Sequence, residues 1–202
     1  MKRKFLNFSM KKIKEKYPEY TEDKLEEIEY GIESLYILFT KTIVIFLLSY
    51  LLGVIKEVFI ILIFYNILRM TCFGLHAKTS FQCYIISGVL FIGAGFLCKY
   101  ININYYLKII ISLLCLINII IFAPADTYKR PLINNKKRRK YKILSIIISL
   151  IYFTLIILFH NYGWNNYLFF GLIDITVVIH PFTYRMFQLP YNNYKTYVDK
   201  YY

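Results

Sequence analysis

Long apolar runs separated by short polar breaks dominate the chain. Six stretches, at roughly 35–55, 58–73, 84–98, 106–123, 143–160 and 166–181, are rich in Ile, Leu, Phe and Tyr and nearly free of charge. A helix needs about 20 such residues to cross a bilayer, within a range of roughly 17–25. The pattern therefore predicts an all-α, polytopic membrane bundle of about six spans. The third stretch is short and carries Gly88, Gly93 and Gly95, which predicts close helix contacts or incomplete spanning. Lys41 and Asp174 interrupt the first and sixth stretches, and each is expected to face the protein interior or to snorkel. Ahead of these runs, residues 5–33 interleave Phe5, Phe8, Ile13, Leu25, Ile28 and Ile32 with Lys and Glu. Pro18 breaks this region, and Thr21 followed by Lys24-Leu25-Glu26 reads as a helix start. Two short amphipathic helices lying on the inner leaflet are expected, giving an interfacial region at 1–34 and a membrane-embedded domain at 35–202.

Composition sharpens this picture. Of 202 residues, 58% are hydrophobic, against about 45–50% in soluble domains, which argues against a soluble globule. The Met-Lys-Arg-Lys-Phe start is not followed by an apolar core and a small-residue cleavage site, so the first span is expected to act as its own insertion signal. The net charge of +13 is concentrated in residues 1–16 and 129–142. If these two regions and the basic tail are all cytoplasmic, even numbers of spans separate them, and the remaining connections are poor in Lys and Arg, as the positive-inside rule requires. The link at 74–83 then also faces the cytoplasm. The charge suits anionic lipid or an acidic peptide, and no nucleic-acid-binding motif is present. The cysteines, Cys72, Cys83, Cys98 and Cys115, form no CxxC pair and do not cluster with the histidines. Neither a metal site nor a disulfide is expected.

The chemistry lies in Arg69-Met-Thr-Cys-Phe-Gly-Leu-His76-Ala-Lys-Thr-Ser-Phe-Gln-Cys83. Polar and reactive groups are expensive to hold near lipid, and a thiol becomes a nucleophile when a base or a positive field stands beside it. Two cysteines compete for that role. On an unbroken helix Cys72, four residues before His76, would be its neighbour. Cys83 follows His76 by seven residues, roughly 10 Å along a straight helix. Gly74 loosens the helix, however, and Lys78-Thr-Ser-Phe-Gln82 reads as a turn or half-buried loop that could fold Cys83 back. Periodicity leaves both open. Cys98 and Cys115 have no base close in sequence and read as apolar filler.

The same stretch resembles the signature of the accessory gene regulator protein B family, membrane peptidases that process quorum-sensing propeptides. Arg69, Gly74, His76, Ala77 and Cys83 match the family pattern of an arginine, Gly-Gly-x-His-Ala and a later cysteine. Phe73 stands where the family commonly has its first glycine. The chain length, the apolar segments and the loop opening Ala123-Pro-Ala-Asp-Thr127 extend the likeness over essentially the whole chain. The resemblance implies that Cys83 is the nucleophile and His76 its base. It also implies a homodimer, no cofactor, and an AgrD-like propeptide substrate with an acidic C-terminal tail, released as a cyclic thiolactone or lactone.

Other residues have weaker claims. Arg69 could stabilise an oxyanion, activate the thiol or grip a carboxylate, or simply snorkel. Asp126 could orient a histidine or bind a basic loop residue, or be a solvated loop acid. Lys129, Arg130, Lys136, Lys137, Arg138, Arg139 and Lys140 could hold the acidic tail, although topology alone would account for them. His160 and His180 read as interfacial. A non-enzymatic transporter subunit, a partner of a sensor kinase and another Cys–His acyltransferase are the competing readings. No internal repeat or pair of broken helices favours transport. A neighbouring gene for a short acidic-tailed peptide would favour the peptidase.

Overall fold

In a computed structural model of the chain, residues 2–77, 79–127 and 131–195 are described. Lys129 and Arg130 lie outside them. The described residues form helices α1 (Lys2–Lys16), α2 (Glu22–Leu51), α3 (Ile55–Cys72), α4 (Ser80–Tyr100), α5 (Tyr105–Phe122), α6 (Asn135–Leu158), α7 (Trp164–Ile179) and the short α8 (Pro181–Met186). The contacts divide the chain into two units, Met1–Leu47 and Leu48–Tyr202.

In the first unit, α1 ends before Pro18, whose ring cannot continue a helix. Lys2 Nζ meets Glu33 Oε1 at 2.7 Å, and the rings of Phe5 and Tyr36 approach to 5.3 Å. The second expected amphipathic helix is not a separate element. No proline interrupts residues 22–51, so the charged stretch runs without a break into the first apolar run as the 30-residue α2.

Among the described residues, four helices are long and apolar enough to cross a membrane: α2, α4, α5 and α6. The apolar α7 is shorter, at 16 residues, and α3 carries Lys56, Glu57 and Arg69 near its ends. The count of about six spans is thus approximate. The third run, expected to be short, is a full 21-residue helix, because Thr79 caps it early and its glycines are tolerated inside it. Leu35, Phe39, Val89, Leu114 and Ile121 are each more than half exposed, a density of outward apolar surface that suits lipid. The chain is a multi-pass membrane protein.

Small residues set the register of the second unit. A Cβ on Gly95 would come within 2.6 Å of Val58 Cγ2, and Phe91 meets Tyr65 edge-on at 4.9 Å. Numbers fall along α4 as they rise along α3, so the two are antiparallel. A Cβ on Gly171 would lie 3.1 Å from Tyr65 N, and further along Leu75 N–H donates to the Val178 carbonyl at 3.2 Å. Helices α3 and α7 are therefore parallel. One end of this unit gathers the turn after α3, the loop after α5 and the segment after α8. At the other end, Lys108 Nζ donates to Asn165 Oδ1 (3.1 Å) and Asn166 Oδ1 (2.5 Å), and His160 packs on Tyr105 with ring centroids 4.4 Å apart.

Candidate active site

Helix α3 stops at Cys72. Phe73 takes φ 56°, ψ −127° and Gly74 takes φ 117°, in the half of backbone space that glycine tolerates and other residues resist. A side chain on Gly74 would overlap the Arg69 guanidinium and come within 2.8 Å of Val178 Cγ1. The break is held from several sides. Arg69 Nη1 donates to the Phe73 carbonyl, while Nη2 donates to the carbonyls of Gly74 (3.2 Å) and Leu75 (2.8 Å). Ala125 N–H donates to the Cys72 carbonyl at 2.9 Å, and Gly74 N–H to the Ala125 carbonyl at 2.8 Å, forming an isolated parallel bridge between Phe73 and Ala125. The Phe73 ring meets Tyr141 edge-on at 4.9 Å. Arg69 is thus committed to the backbone immediately before His76.

The helix that would join Cys72 to His76 as i,i+4 neighbours does not exist. Cys72 is 0% exposed. His76 is exposed, and Cys83 is half-buried in the first turn of α4. Of the run before Cys83, expected to be a turn or half-buried loop, Lys78 lies outside the described residues, while Thr79 caps α4 and Ser80–Gln82 begin it: Thr79 Oγ1 accepts the Gln82 N–H at 3.2 Å, and Cys83 N–H donates to the Thr79 carbonyl at 3.1 Å. Thr79 with Gln82 three residues later is a capping-box spacing, a signal present in the sequence within a run whose polar composition otherwise reads as a loop. The antiparallel register places this first turn of α4 level with the last turn of α3, where Arg69 lies. Among the other histidines, His180 Nδ1 accepts the Phe182 N–H at 3.1 Å as the cap of α8, and His160 sits at the far end. All four thiols are free, with Cys98 and Cys115 buried.

Asp126 is 3% exposed, and its carboxylate bonds are to backbone. Oδ1 accepts the Asn193 N–H at 3.0 Å. Oδ2 accepts those of Tyr194 (2.8 Å) and Leu132 (3.3 Å). Tyr184 donates its hydroxyl to the Asp126 carbonyl at 3.0 Å. Burial pushes both Tyr184 and Tyr191 above the ordinary tyrosine value, against the opposing charges of Arg69 and Arg138 respectively and with a smaller contribution from the Asp126 charge, so both are protonated donors at neutral pH. No sequence motif marks Asn193, Tyr194 or Val178, because they act through backbone atoms or through contacts remote in sequence.

The basic cluster opens α6. Asn134 Oδ1 caps that helix, accepting the N–H of Lys136 (3.0 Å) and Lys137 (3.1 Å). Lys136, Lys137, Arg139 and Lys140 are exposed and Arg138 is half-buried, its guanidinium 3.3 Å from the Tyr194 ring centroid. Cations at a helix N-terminus oppose the macrodipole, so helix stability does not account for their position. Among the described residues, no group of His, Cys, Asp and Glu could hold a metal ion.

Comparison with known proteins covers most of the chain. The family model described as Accessory gene regulator B matches residues 7–184. An AgrB-like protein of Clostridium acetobutylicum is 30% identical over 173 residues, covering 85% of this chain and 82% of its own length. An AgrB-like protein of Listeria innocua is 29% identical over 171 residues, covering 85% and 84%. Accessory gene regulator protein B of Staphylococcus aureus is 29% identical over 156 residues, covering 77% and 82%. No solved structure matches.

Proposed function

The chain belongs to the accessory gene regulator B family, and from that premise we propose that it is a membrane cysteine endopeptidase. Its substrate is an AgrD-like propeptide, from which it removes the C-terminal tail. The observation that carries the reading is the break between α3 and α4. It buries Cys72 away from any helical partnership with His76 and leaves an exposed imidazole and a half-buried thiol flanking one short turn. A negative charge is favoured in the first turn of a helix, where Cys83 sits.

In this reading His76 takes the Cys83 proton, and the thiolate attacks the carbonyl carbon at the end of the signal segment. As the C–N bond breaks, the imidazolium returns the proton to the leaving amine, and the tail departs from a thioester on Cys83. A cysteine or serine side chain within the signal segment then attacks that thioester. The ring closes as a thiolactone or lactone, and the Cys83 sulfur leaves as thiolate and regains its proton. Water must be excluded during the second step, which suits a site at the membrane boundary. Lys136, Lys137, Arg138, Arg139 and Lys140, with Lys129 and Arg130, supply positive charge for the acidic tail. The resemblance to the family also points to a homodimer on an anionic membrane, with this end of the helices cytoplasmic.

The test is cleavage of a synthetic propeptide by protein in vesicles. Cys83→Ala abolishes release of the tail while the protein still inserts, and Cys72→Ala keeps most of the activity. Loss in Cys72→Ala with full activity in Cys83→Ala reverses the assignment.

A further inference from the structure

We infer that Asp126 is a positioning residue for the His76 turn, and that it works by clamping the segment after α8 onto the loop that supports that turn. This rests on the proposed reading for what His76 does, but the geometry stands apart from it.

The clamp has two sides. Toward the C-terminus, the Asp126 carboxylate accepts the adjacent N–H groups of Asn193 and Tyr194. Asn192, just before them, has φ 57°, a left-handed turn that Asn tolerates better than most residues. The segment is held on its flanks as well. Tyr191 packs on Tyr184 with centroids 5.1 Å apart and donates to the Phe122 carbonyl at 3.5 Å, and Tyr194 covers Arg138. Toward the active site, the residue before Asp126 is Ala125, whose N–H and carbonyl bond to Cys72 and Gly74. The chain thus runs from the C-terminal segment through Asp126 and Ala125 to the two residues where α3 breaks, two positions short of His76.

A carboxylate buried to this degree is costly unless its lone pairs are met. Here they are met by backbone donors from two separate segments, Leu132 and Asn193–Tyr194. Charge-assisted bonds of this kind are about twice as strong as neutral ones. Removing the C-terminal donors leaves Asp126 short of partners and frees the loop beneath the turn. The consequence is geometric: the imidazole loses its place, while among the groups proposed to bind substrate only Arg138, which Tyr194 covers, loses a contact.

The experiment is a double-mutant cycle between Asp126→Asn and truncation after Pro190, with kcat and KM measured on a synthetic acidic-tailed propeptide. Each change is expected to lower kcat about tenfold or more with KM little altered, since a small misplacement of a catalytic group costs up to about 10²-fold. The double variant is expected to lose no more than either single one. Asp126→Glu, with the same charge on a longer arm, is expected not to restore kcat. Amide exchange at Gly74 and Leu75, read in the same variants, reports the turn without any catalysis and should be faster in each by about tenfold or more. Exchange unchanged at those two amides overturns the inference, as do additive losses or a rise in KM alone. If the wild-type protein cleaves nothing, the proposed function fails, while the exchange result still decides whether the clamp holds the turn.

Discussion

Arg69 satisfies three carbonyls in a row, those of Phe73, Gly74 and Leu75. The planar, five-donor guanidinium suits that task and a lysine ammonium does not. The role differs from stabilising an oxyanion, one of the uses the sequence suggests, and it explains why an arginine stands four residues ahead of the break. The first two of the three residues it holds have opposite tolerances. Gly74→Ala would combine a positive φ, worth roughly 1–2 kcal/mol for a residue with a Cβ, with overlap on Arg69, and is expected to abolish cleavage. Phe73→Gly would relieve backbone strain of about 1–3 kcal/mol and lose one aromatic contact of about 0.5–1.5 kcal/mol beyond the apolar area of a half-buried ring, together with about 0.4–1 kcal/mol from a looser unfolded chain. These nearly cancel, so the variant is expected to keep its activity and to unfold within about 1 kcal/mol of wild type. Cleavage assays paired with thermal unfolding in detergent check both. An active Gly74→Ala enzyme would remove the reason for a glycine at that position.

At the level of elements, α6 presents five successive basic residues from its first turn. The exposed lysines and Arg139 are free to meet a ligand, while Arg138 is covered by Tyr194. Replacing Lys136, Lys137, Arg138, Arg139 and Lys140 by Gln is expected to weaken binding of an acidic-tailed propeptide, and the deficit should shrink as salt rises, because exposed charges are screened within about 8 Å at physiological ionic strength. Binding to correctly oriented protein at low and high salt is the measurement, and unchanged affinity would leave the cluster a purely topogenic role. Local periodicity is what made these elements legible. The apolar runs gave the helices, and the His76–Cys83 stretch stood out by its chemistry. Thr79 and Gln82 encode the helix start at Ser80, but the polar residues around them carry the composition of a loop, so the cap is the one local signal of it. The role of Asp126 was not legible, since its partners lie 67 and 68 residues away in sequence and donate through backbone N–H groups, which carry no side-chain signature.

For the whole molecule, helix direction and charge distribution point the same way. With α3 antiparallel to α4 and parallel to α7, the break after α3, the loop after α5 and the segment after α8 fall at one end, and the basic residues that open α6 are the ground for the proposal that this end is cytoplasmic. Reporter tags at position 135 and at the C-terminus are therefore expected to be cytoplasmic, and one at position 103 external. An external signal at 135 would move the active site across the membrane. Lys108, 6% exposed, marks the opposite end, where two asparagine carbonyls take the place of a counter-ion.

The most direct test of the account is the covalent state of Cys83 during turnover. Wild-type protein mixed with propeptide and quenched in acid should gain the mass of the propeptide less its tail, bound through a thioester. Peptide mapping should place that adduct on Cys83, and hydroxylamine should remove it. The adduct should be absent from Cys83→Ala and should not form in His76→Ala. An adduct on Cys72, or tail release from Cys83→Ala protein, would contradict the assignment of the nucleophile and the mechanism built on it.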